Sequence, residues 1–368
     1  QSPWKNPKEL QSLQTHITPG SLPLEGVRIL DMTMVWAGPY GTTLLADMGA
    51  EIIRLEPRGF TTNGGRITPA HPNPNLEKTA PMSPFPDRDP GERPWNRASS
   101  FNAHARNKHS ITVDLSTSEG QDVFHRLVKV SDLFVQNNAV GSMERLGFTY
   151  DVLSELNPRF SMISVAGLGQ TGPWKEYRGL GYSFESFYGF NSLIGYPDMD
   201  ADGVPITAPS DAATGVTIAT AALMALHQRE RTGKGCFVDI SLGEAFAPHM
   251  GEYFMDYEMN SRVPERVGNQ HVRLVQNIYL CDGHDEWISL TISNIKQWHT
   301  LCRLMGTPAL IDDPRLADLK SLRSLQDEID EVITSWTKDK NNLDLFHLLQ
   351  ANGIPASPIM HEPMAYAD

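Results

Sequence analysis

Residues Val27–Glu56 have the sequence VRILDMTMVWAGPYGTTLLADMGAEIIRLE. Its two ends, Val27–Met32 and Glu51–Glu56, are short apolar runs typical of buried strands. The middle contains a glycine turn, WAGPYG, and then a pattern that predicts a short helix over Thr42–Met48. A strand, a helix and a second strand in this order predict a βαβ unit with two parallel strands.

The same alternation continues along the first half of the chain. Ser110–Leu115 and Asp132–Asn137 are predicted strands, with a helix over Glu119–Val128 between them. Further helices extend to Leu156, and Phe160–Ala166 is the next predicted strand. Because strands that alternate with helices usually pair in parallel, the pattern predicts an α/β fold with a mostly parallel sheet covered on both faces.

The second half has a different organisation. A long apolar helix is predicted over Ser210–Arg231, and Gly233 is suited to cap its C-terminus. A strand over Cys236–Ser241 and a buried helix over Leu242–Met259 follow, and residues 270–330 predict a small α+β module. The remaining predicted elements are a hairpin around Cys281–Trp287, helices over Ile295–Met305 and Leu343–Ala351, and a last strand over Ile354–Met360.

Composition narrows the possible partners. The chain has 368 residues and a formal net charge of -13, which repels nucleic acid and anionic membranes at long range. No apolar run approaches the roughly 20 residues that cross a bilayer. The cysteines Cys236, Cys281 and Cys302 are far apart and form no CxxC pair. We therefore expect neither nucleic acid nor a membrane as a partner, no disulfide framework, and a reducing cytoplasm as the location.

Residues 57–99 form a long stretch rich in Pro, Gly, Asn and Arg. A loop of this length inside a compact domain is usually functional or mobile. We expect it to act as a lid or to contact a partner.

Two glycine motifs resemble nucleotide-binding loops without their context. GLGQTG, Gly167–Gly172, matches GxGxxG after a strand, but Pro173 follows and no helix is predicted before Tyr182. A dinucleotide site needs the start of a helix at this point, because free amides there hold the pyrophosphate. WAGPYG lacks the GxG spacing, and Pro39 removes a backbone donor. An NAD-linked oxidoreductase is therefore the weaker alternative, and a glycine loop beside a site is the better interpretation.

Other common catalytic patterns are missing from the sequence. The twelve histidines are scattered without ligand spacing, so no metal site is predicted. Neither GxSxG nor a cysteine with a placed histidine occurs, which argues against a serine or cysteine hydrolase.

Asp211, in ITAPSDAATGVTIATAAL, stands where the long helix begins. One interpretation makes Ser210 or Asp211 an N-cap that accepts a hydrogen bond from a first-turn amide. The other makes Asp211 a nucleophile, because the positive end of a helix favours the carboxylate and Ala212, Ala213 and Gly215 leave room for a bulky acyl group. Position in the sequence does not separate the two.

Taken together, these segments resemble the class III (CaiB/BaiF) CoA-transferase family, which includes formyl-CoA transferase, carnitine CoA-transferase and the α-methylacyl-CoA racemases. The resemblance extends from Leu24 to Pro358. The motifs that carry it are LEGVRILDMT, WAGPYGTTLLADMGAEIIRLEP, NKHSITVDLSTSEG, DLFVQN, MERLGFTYDVLSELNPR, GLGQTGPW, PSDAATG, HQRERTGKGCFVDISL and GIPASPI.

The resemblance assigns roles to particular residues. Asp211 matches the family's catalytic aspartate, with Gly215 as the glycine of the motif. The positions that match the family's CoA site are Val35, Trp36, Ala37, Arg58, Asn107, Lys108, Asn137, Arg145 and Arg178. The residues expected to contact substrate or to shape the glycine loop are Gly167, Gly169, Gly172 and Tyr182. No metal and no permanently bound cofactor are expected, and CoA enters as part of the substrate.

The branches of the family differ in chemistry. The racemases use a histidine just after the glycine loop as a second acid or base, and residues 171–200 contain no histidine. Formyl-CoA transferase has a Gln at the position of Trp36 and a Glu near Gly181, and neither is retained. These differences favour a transferase for a larger, partly apolar acyl group, with succinyl-CoA as a possible donor. The alternatives that remain are a racemase or isomerase and a subunit of a heteromeric transferase.

The resemblance also implies an architecture. It implies a Rossmann-like large domain over residues 1–225, a linker helix and small α+β domain over 226–335, and a segment over 336–368 that returns to the large domain. Two chains are expected to interlock, as a homodimer or with a related subunit. The substrates are expected to be an acyl-CoA and a free carboxylic acid.

Overall fold

The computed structural model describes residues 22–57, 75, 78, 83–204 and 207–361. The chain forms two compact units, Gln1–Phe190 with Ile206–Arg262, and Asn191–Pro205 with Val263–Asp368. These bounds differ from the predicted divisions after residues 225 and 335. The first division falls inside one uninterrupted helix, Pro209–Thr232.

The large unit is built on a six-stranded parallel sheet with the order β3-β2-β1-β4-β5-β6. The predicted α/β fold is confirmed, and the strand order is that of a Rossmann-type doubly wound sheet. The strands are β1 (Arg28–Met32), β2 (Glu51–Glu56), β3 (Lys108–Thr112), β4 (Leu133–Gln136), β5 (Ser161–Ala166) and β6 (Phe237–Ser241).

Helices cover both faces of this sheet. Those of the large unit are α1 (Ala37–Asp47), α2 (Ser99–Ala105), α3 (Ser118–Val128), α4 (Ser142–Leu146), α5 (Tyr150–Leu156), α6 (Gly181–Phe187), α7 (Pro209–Thr232), α8 (Leu242–Phe246) and α9 (Gly251–Asn260). In the part of the chain that the structure describes, none of the helices is long and apolar enough to pass through a bilayer.

Side chains that alternate along the strands form two cores. Ile29 of β1 packs in a cluster with residues of α1 and α7, such as Leu45 and Ile218. Its neighbour Leu30 packs on the opposite face with Phe124 of α3. Because successive residues of a strand point to opposite faces, a strand of continuous apolar residues contributes side chains to both cores.

Two predicted helices have different bounds in the structure. Helix α1 begins at Ala37 rather than Thr42, so WAGPYG belongs largely to its first turn, where a proline is tolerated. The single buried helix predicted over Leu242–Met259 is wrong. A 3-10 turn, Ala247–Met250, separates α8 from α9, and no residue of α9 is buried.

The small unit has a three-stranded antiparallel sheet, β7 (Val275–Leu280), β8 (Trp287–Ile292) and β9 (Ala356–Ile359). The predicted hairpin is confirmed as β7 and β8. The helices of this unit are α10 (Ile295–Met305), α11 (Leu319–Ser324), α12 (Gln326–Thr337) and α13 (Asn342–Ala351). Strand β9 pairs with β8, so the described part of residues 336–368 contributes a strand to this sheet, and its predicted return to the large domain stays a prediction.

Of the predicted loop over residues 57–99, the described part contains two short 3-10 turns, Pro86–Arg88 and Pro94–Asn96. Its expected role as a lid or partner contact lies mainly outside the described residues. Arg58, one of the expected CoA contacts, also lies outside them.

Candidate active site

The candidate site lies at the point where the order of the sheet reverses. The chain proceeds from β1 to β2 on one side and from β4 to β5 on the other, so the carboxyl ends of β1 and β4 border a crevice. A pocket of about 300 Å³ opens there. It is lined by Met34, Val35, Trp36, Ala37, Asn137, Val165, Ala166, Gly167, Gly179, Leu180, Gly181, Tyr182, Phe184, Asp211 and Leu242.

Asp211 projects into this pocket from the first turn of α7. The helix begins with Pro209, and the N-cap is Ala208, which has no side chain that can cap. The interpretation of Ser210 or Asp211 as the N-cap is therefore wrong, because both are already inside the helix. The side chain of Asp211 is partly buried rather than sealed, so its carboxylate can meet a ligand.

A close crossing of α1 and α7 brings the loop after β1 to Asp211. A Cβ on Gly41 would lie 2.8 Å from the Gly215 carbonyl oxygen, and one on Gly215 would lie 2.5 Å from Cδ1 of Tyr40. Glycine at both positions lets the two backbones touch. Gly215 thus serves the helix crossing, and the Ala37 amide at the start of α1 donates a hydrogen bond to the Asp211 carboxylate.

The surroundings of Asp211 make it an unusually basic carboxylate. Burial raises its pKa, the negative charge of Glu185 raises it further, and the hydrogen bond from Ala37 opposes both, which places the pKa at about 6. At neutral pH the group is still mostly ionised. A carboxylate that is ionised, accessible and more basic than usual is suited to attack an electrophilic carbonyl.

The loop after β1 is held in a strained shape. Val35 has a φ of 67°, a left-handed conformation that is costly for a β-branched residue. Asn137 holds the loop in place: its Nδ2 donates to the Met34 carbonyl oxygen at 2.8 Å, and its Oδ1 accepts from the Met34 amide at 2.8 Å. These two hydrogen bonds join the ends of β1 and β4 across the crevice.

A second, adjoining pocket of about 200 Å³ shares Asn137, Ala166, Gly167, Gly179 and Phe184 with the first. Lys175, Glu176 and Arg178 line it, and all three side chains are exposed, so the charged groups of its lining are two cations and one anion. The space beside Asp211 therefore continues into a region with two cationic groups. Such a region is suited to an anionic part of a ligand.

Comparison with known proteins identifies this arrangement. The model of CoA-transferase family III matches residues 24–368. The chain belongs to CoA-transferase family III. This confirms the resemblance and the enzyme class, CoA-transferase.

Individual members of the family are similar over most of this chain. The succinyl-CoA–D-citramalate CoA-transferase of Chloroflexus aurantiacus is 34% identical over 340 residues, which are 92% of this chain and 78% of the relative. The succinate–glutarate CoA-transferase of Agrobacterium fabrum is 31% identical over 349 residues, 94% and 82% of the two chains. A crystal structure of a CaiB/BaiF family protein from Brucella suis is 29% identical with a TM-score of 0.79, covering 95% of this chain and 86% of that one.

The structure brings together most of the residues that the resemblance assigned to this CoA-transferase. The Asp211 pocket contains Val35, Trp36, Ala37, Asn137, Gly167, Tyr182 and Asp211 itself. Arg178 lies in the adjoining pocket.

Lys108 is placed differently from the expectation. Its side chain is only 1% exposed, and its Nζ lies 3.1 Å from Oδ2 of Asp31, an ion pair within the large unit. It also donates to the Pro39 carbonyl oxygen at 2.8 Å and to Oγ1 of Thr42 at 2.7 Å. A cation held by three protein acceptors has a structural role, and the expected contact of Lys108 with CoA stays a prediction.

The other two expected CoA contacts lie outside the lining of the Asp211 pocket. Asn107 has a φ of 59°, and its side chain donates to Oδ1 of Asp47 at 2.7 Å. Arg145 is exposed on α4 and donates to Oγ of Ser142 at 2.9 Å. Both are at the surface, and their contact with CoA stays a prediction.

Of the three glycines expected to contact substrate or shape the glycine loop, one lines the Asp211 pocket. Gly167 lines the pocket, and a Cβ there would lie 1.9 Å from Cζ of Phe184. Gly169 and Gly172 have left-handed φ values of 82° and 88° but do not line it. The Gln170 amide donates to both oxygens of Asp239, at 3.0 Å and 2.9 Å, which occupies a donor that an oxyanion would need.

Glu185 is a residue of the site that the sequence reasoning missed. It lies on α6, is 0% exposed, and adds its charge beside Asp211. The available signal was an isolated acid in the aromatic segment YSFESFY, where a buried carboxylate has no obvious structural use. Within the described residues no cluster of three or more His, Cys, Asp or Glu is arranged to hold a metal ion.

Proposed function

We propose that this CoA-transferase moves CoA from an acyl-CoA donor, succinyl-CoA in the first instance, to a free carboxylic acid, with Asp211 as the covalent nucleophile. One observation carries the proposal: a partly buried carboxylate with a pKa of about 6 lines a pocket at the reversal point of the sheet. The relatives named for succinyl-CoA or succinate support the choice of donor.

The chemistry needs two covalent intermediates. An oxygen of Asp211 attacks the donor thioester carbonyl, the C–S bond breaks, and an aspartyl–acyl anhydride and CoA thiolate are formed. The thiolate then attacks the aspartyl carbonyl, releasing the donor acid and leaving an aspartyl-CoA thioester. The acceptor carboxylate runs the same steps in reverse, so thioester is exchanged for thioester without ATP.

The lining of the pocket supports this chemistry. Val35, Trp36, Leu180 and Phe184 give it apolar walls beside the carboxylate. Walls of this kind limit the access of water to an anhydride, which water would otherwise hydrolyse. We assign contact with CoA to the segment Val35–Ala37, and assign to Asn137 the role of holding that segment in shape.

Lys175 and Arg178 extend the proposal to the acceptor. A dicarboxylic acid has one carboxylate to react and a second that needs a cationic partner, and the adjoining pocket offers two cations. D-Citramalate and glutarate, in the names of the two relatives, are both dicarboxylates. We therefore propose a dicarboxylic acid as acceptor, with its distal carboxylate beside Arg178.

The test is a transfer assay with succinyl-CoA and a panel of mono- and dicarboxylic acids. If the acceptor carries isotopically heavy oxygen in its carboxylates, turnover must place heavy oxygen in the Asp211 side chain, which peptide mass spectrometry detects. Heavy CoA thioester product with an unlabelled Asp211 would refute the covalent mechanism. In deuterated water, exchange of the substrate α-proton without transfer would instead establish a racemase.

The resemblance also leads us to propose a dimer, of two identical chains or of this chain with a related subunit, working in the cytoplasm. Light scattering on the purified protein measures the mass of the assembly. A monomer that transfers CoA at full rate would refute the requirement for a dimer.

A further inference from the structure

Glu185 is the most deeply buried acid beside the nucleophile. It lies on α6, and its side chain has no exposed surface. Its Oε1 accepts hydrogen bonds from the Ser210 amide at 3.0 Å and from the Ser210 hydroxyl at 2.7 Å. Its Oε2 accepts a longer one, 3.4 Å, from Oγ1 of Thr207. All of these contacts are within the large unit.

A buried carboxylate is expensive, and proteins usually pair it with a cation. Among the hydrogen bonds and ion pairs of the described residues, those of Glu185 come from Thr207 and Ser210 alone. Its charge is therefore stabilised by the first turn of α7, a helix of 24 residues whose N-terminus carries positive partial charge. Because Ala208 cannot cap this helix, Glu185 does so from another element.

The hydrogen bonds to Glu185 hold Ser210, the residue that precedes the nucleophile, in place. Ser210 donates to Glu185 through both its amide and its hydroxyl, and Asp211 is the next residue of the same turn. A Cβ on Gly181 would lie 2.5 Å from Oδ2 of Asp211 and 2.9 Å from Oγ of Ser210. The N-terminal end of α6 is therefore packed directly against the nucleophile, while Glu185 holds the turn that carries it.

The charge of Glu185 has a second consequence. Free Asp211 is an anion beside another anion, whereas the anhydride and the aspartyl-CoA thioester are neutral at this position. Acylation therefore removes a like-charge repulsion, and an interaction that is relieved along the reaction accelerates it. The same repulsion acts in the free enzyme, where the pKa of Asp211 is raised first by burial and then by the charge of Glu185.

We propose that Glu185 is a positioning residue for the reaction: it caps α7, orients Asp211 through Ser210, and favours the covalent intermediates by its negative charge. This inference rests on the proposed function of Asp211 as nucleophile. Of the described residues that line the pocket, Tyr182 is the other side chain besides Asp211 that can titrate. Glu185 faces Asp211 from α6, and the loop after β1 contributes the neutral amide of Ala37.

The test follows the rate at which acyl-CoA converts Asp211 into its covalent adduct, measured by rapid quench and mass spectrometry across the pH range. Glu185→Gln retains an acceptor for Ser210 but removes the charge. We expect its acid limb to move to lower pH and its plateau rate to fall about tenfold, the equivalent of one pKa unit, with little change in the concentration of acyl-CoA at half-saturation.

Ser210→Ala is the matched control, because it removes one hydrogen bond to Glu185 and leaves both charges. Its acid limb should stay at the pH of the wild type. Glu185→Asp keeps the charge on a shorter side chain, so its acid limb should also stay while its plateau rate falls, and this variant decides the matter if Glu185→Gln does not fold.

The outcomes distinguish the covalent mechanism at Asp211 from the positioning role of Glu185. A wild-type enzyme that transfers CoA without any adduct on Asp211 refutes the proposed mechanism itself. A wild type that forms the adduct, with Glu185→Gln or Glu185→Asp equal to it in both rate and acid limb, overturns the role of Glu185 alone.

Discussion

Asp211 combines two properties that usually exclude each other, an ionised carboxylate and a partly buried position. Its folded-state pKa of about 6 lies above the ordinary value of 3.8. Between these two values the folded protein binds more protons than the unfolded chain. The free energy of unfolding therefore falls as pH rises through this window. The loss of stability caused by the ionised Asp211 is fully present above about pH 6. The nucleophile is held at the expense of stability.

Replacing this carboxylate with a neutral amide should stabilise the protein. We expect Asp211→Asn to raise the free energy of unfolding by about 1–3 kcal/mol at neutral pH, because the cost of burying the charge disappears. The difference should vanish below about pH 4, where Asp211 is protonated in both states. Thermal melts of the two proteins across this range measure it. A variant less stable than the wild type at neutral pH would contradict this account of the site.

Arg178 allows a test of the substrate assignment. We expect Arg178→Ala to raise the KM for a dicarboxylic acceptor about tenfold or more, since the lost ion pair with a substrate carboxylate is worth about 1.5–3 kcal/mol. The KM for a donor acyl-CoA whose acyl group lacks a second carboxylate should change little, whereas succinyl-CoA carries a distal carboxylate of its own and should also bind more weakly. Steady-state kinetics with both substrates varied give the two values.

Arg126→Ala is the matched control for this measurement, because Arg126 is an exposed arginine outside both pockets and is not among the expected CoA contacts. It should leave the KM of the acceptor unchanged. If Arg178→Ala raised the KM for acyl-CoA and left the KM for the acceptor unchanged, Arg178 would contact CoA, as the family resemblance implies.

The residues that the sequence could and could not assign differ in a physical way. Val35, Trp36 and Asp211 follow strands or begin helices, so local patterns locate them at the edge of the sheet. The role of Lys108 depends on Asp31, 77 positions away along the chain, and Glu185 depends on Ser210, 25 positions away. Burial by distant partners leaves no local signal, so nothing in the sequence indicated the ion pair between Lys108 and Asp31.

At the scale of elements, the site depends on how closely α1 and α7 approach. The pattern predicted both helices but began α1 at Thr42, because Gly38 and Pro39 weaken a helical pattern. In the structure those residues form the first turn. Gly38, which disrupted the prediction, is needed for a different contact: a Cβ there would lie 2.5 Å from Cβ of Thr33, in the loop after β1.

The crossing of α1 and α7 can be tested at Gly41. We expect Gly41→Ala to destabilise the protein by about 1–3 kcal/mol, because its methyl group would meet the backbone of Gly215. It should also reduce the rate of transfer, since the Ala37 amide moves away from Asp211. Chemical denaturation and steady-state kinetics measure the two effects.

Gly251→Ala provides the comparison for Gly41→Ala. Gly251 is also helical, and a Cβ there meets nothing within 4 Å. This variant should be neutral or slightly stabilised, with full activity. Equal stability of the two variants would show that the close approach of the helices is not required.

At the scale of the whole molecule, the sequence predicted an α/β fold with a smaller module, and the structure has both. Alternating strands and helices indicate parallel pairing, but they do not give the order of the strands. The order β3-β2-β1-β4-β5-β6 depends on which apolar faces pack together across the chain. That order creates the crevice between β1 and β4, so the location of the site became visible only in three dimensions.

The bounds of the two units were also difficult to predict from local sequence patterns. The small module was expected to end before residue 336, yet β9 is its third strand. Antiparallel pairing across a sequence separation of 68 residues, as between Ser289 and Ser357, leaves no trace in a local pattern. The alternating burial of Ala356 and Pro358 is consistent with one face of β9 packing in the small unit.

The central claim is that the Asp211 side chain itself carries CoA during turnover. Incubation of the protein with succinyl-CoA alone, followed by rapid acid quench and intact-mass measurement, tests it most directly, with Asp211→Asn treated in parallel. We predict a CoA adduct that maps to the peptide containing Asp211, that disappears when a dicarboxylic acceptor is added, and that is missing from the variant. Transfer activity in Asp211→Asn equal to that of the wild type would contradict the account.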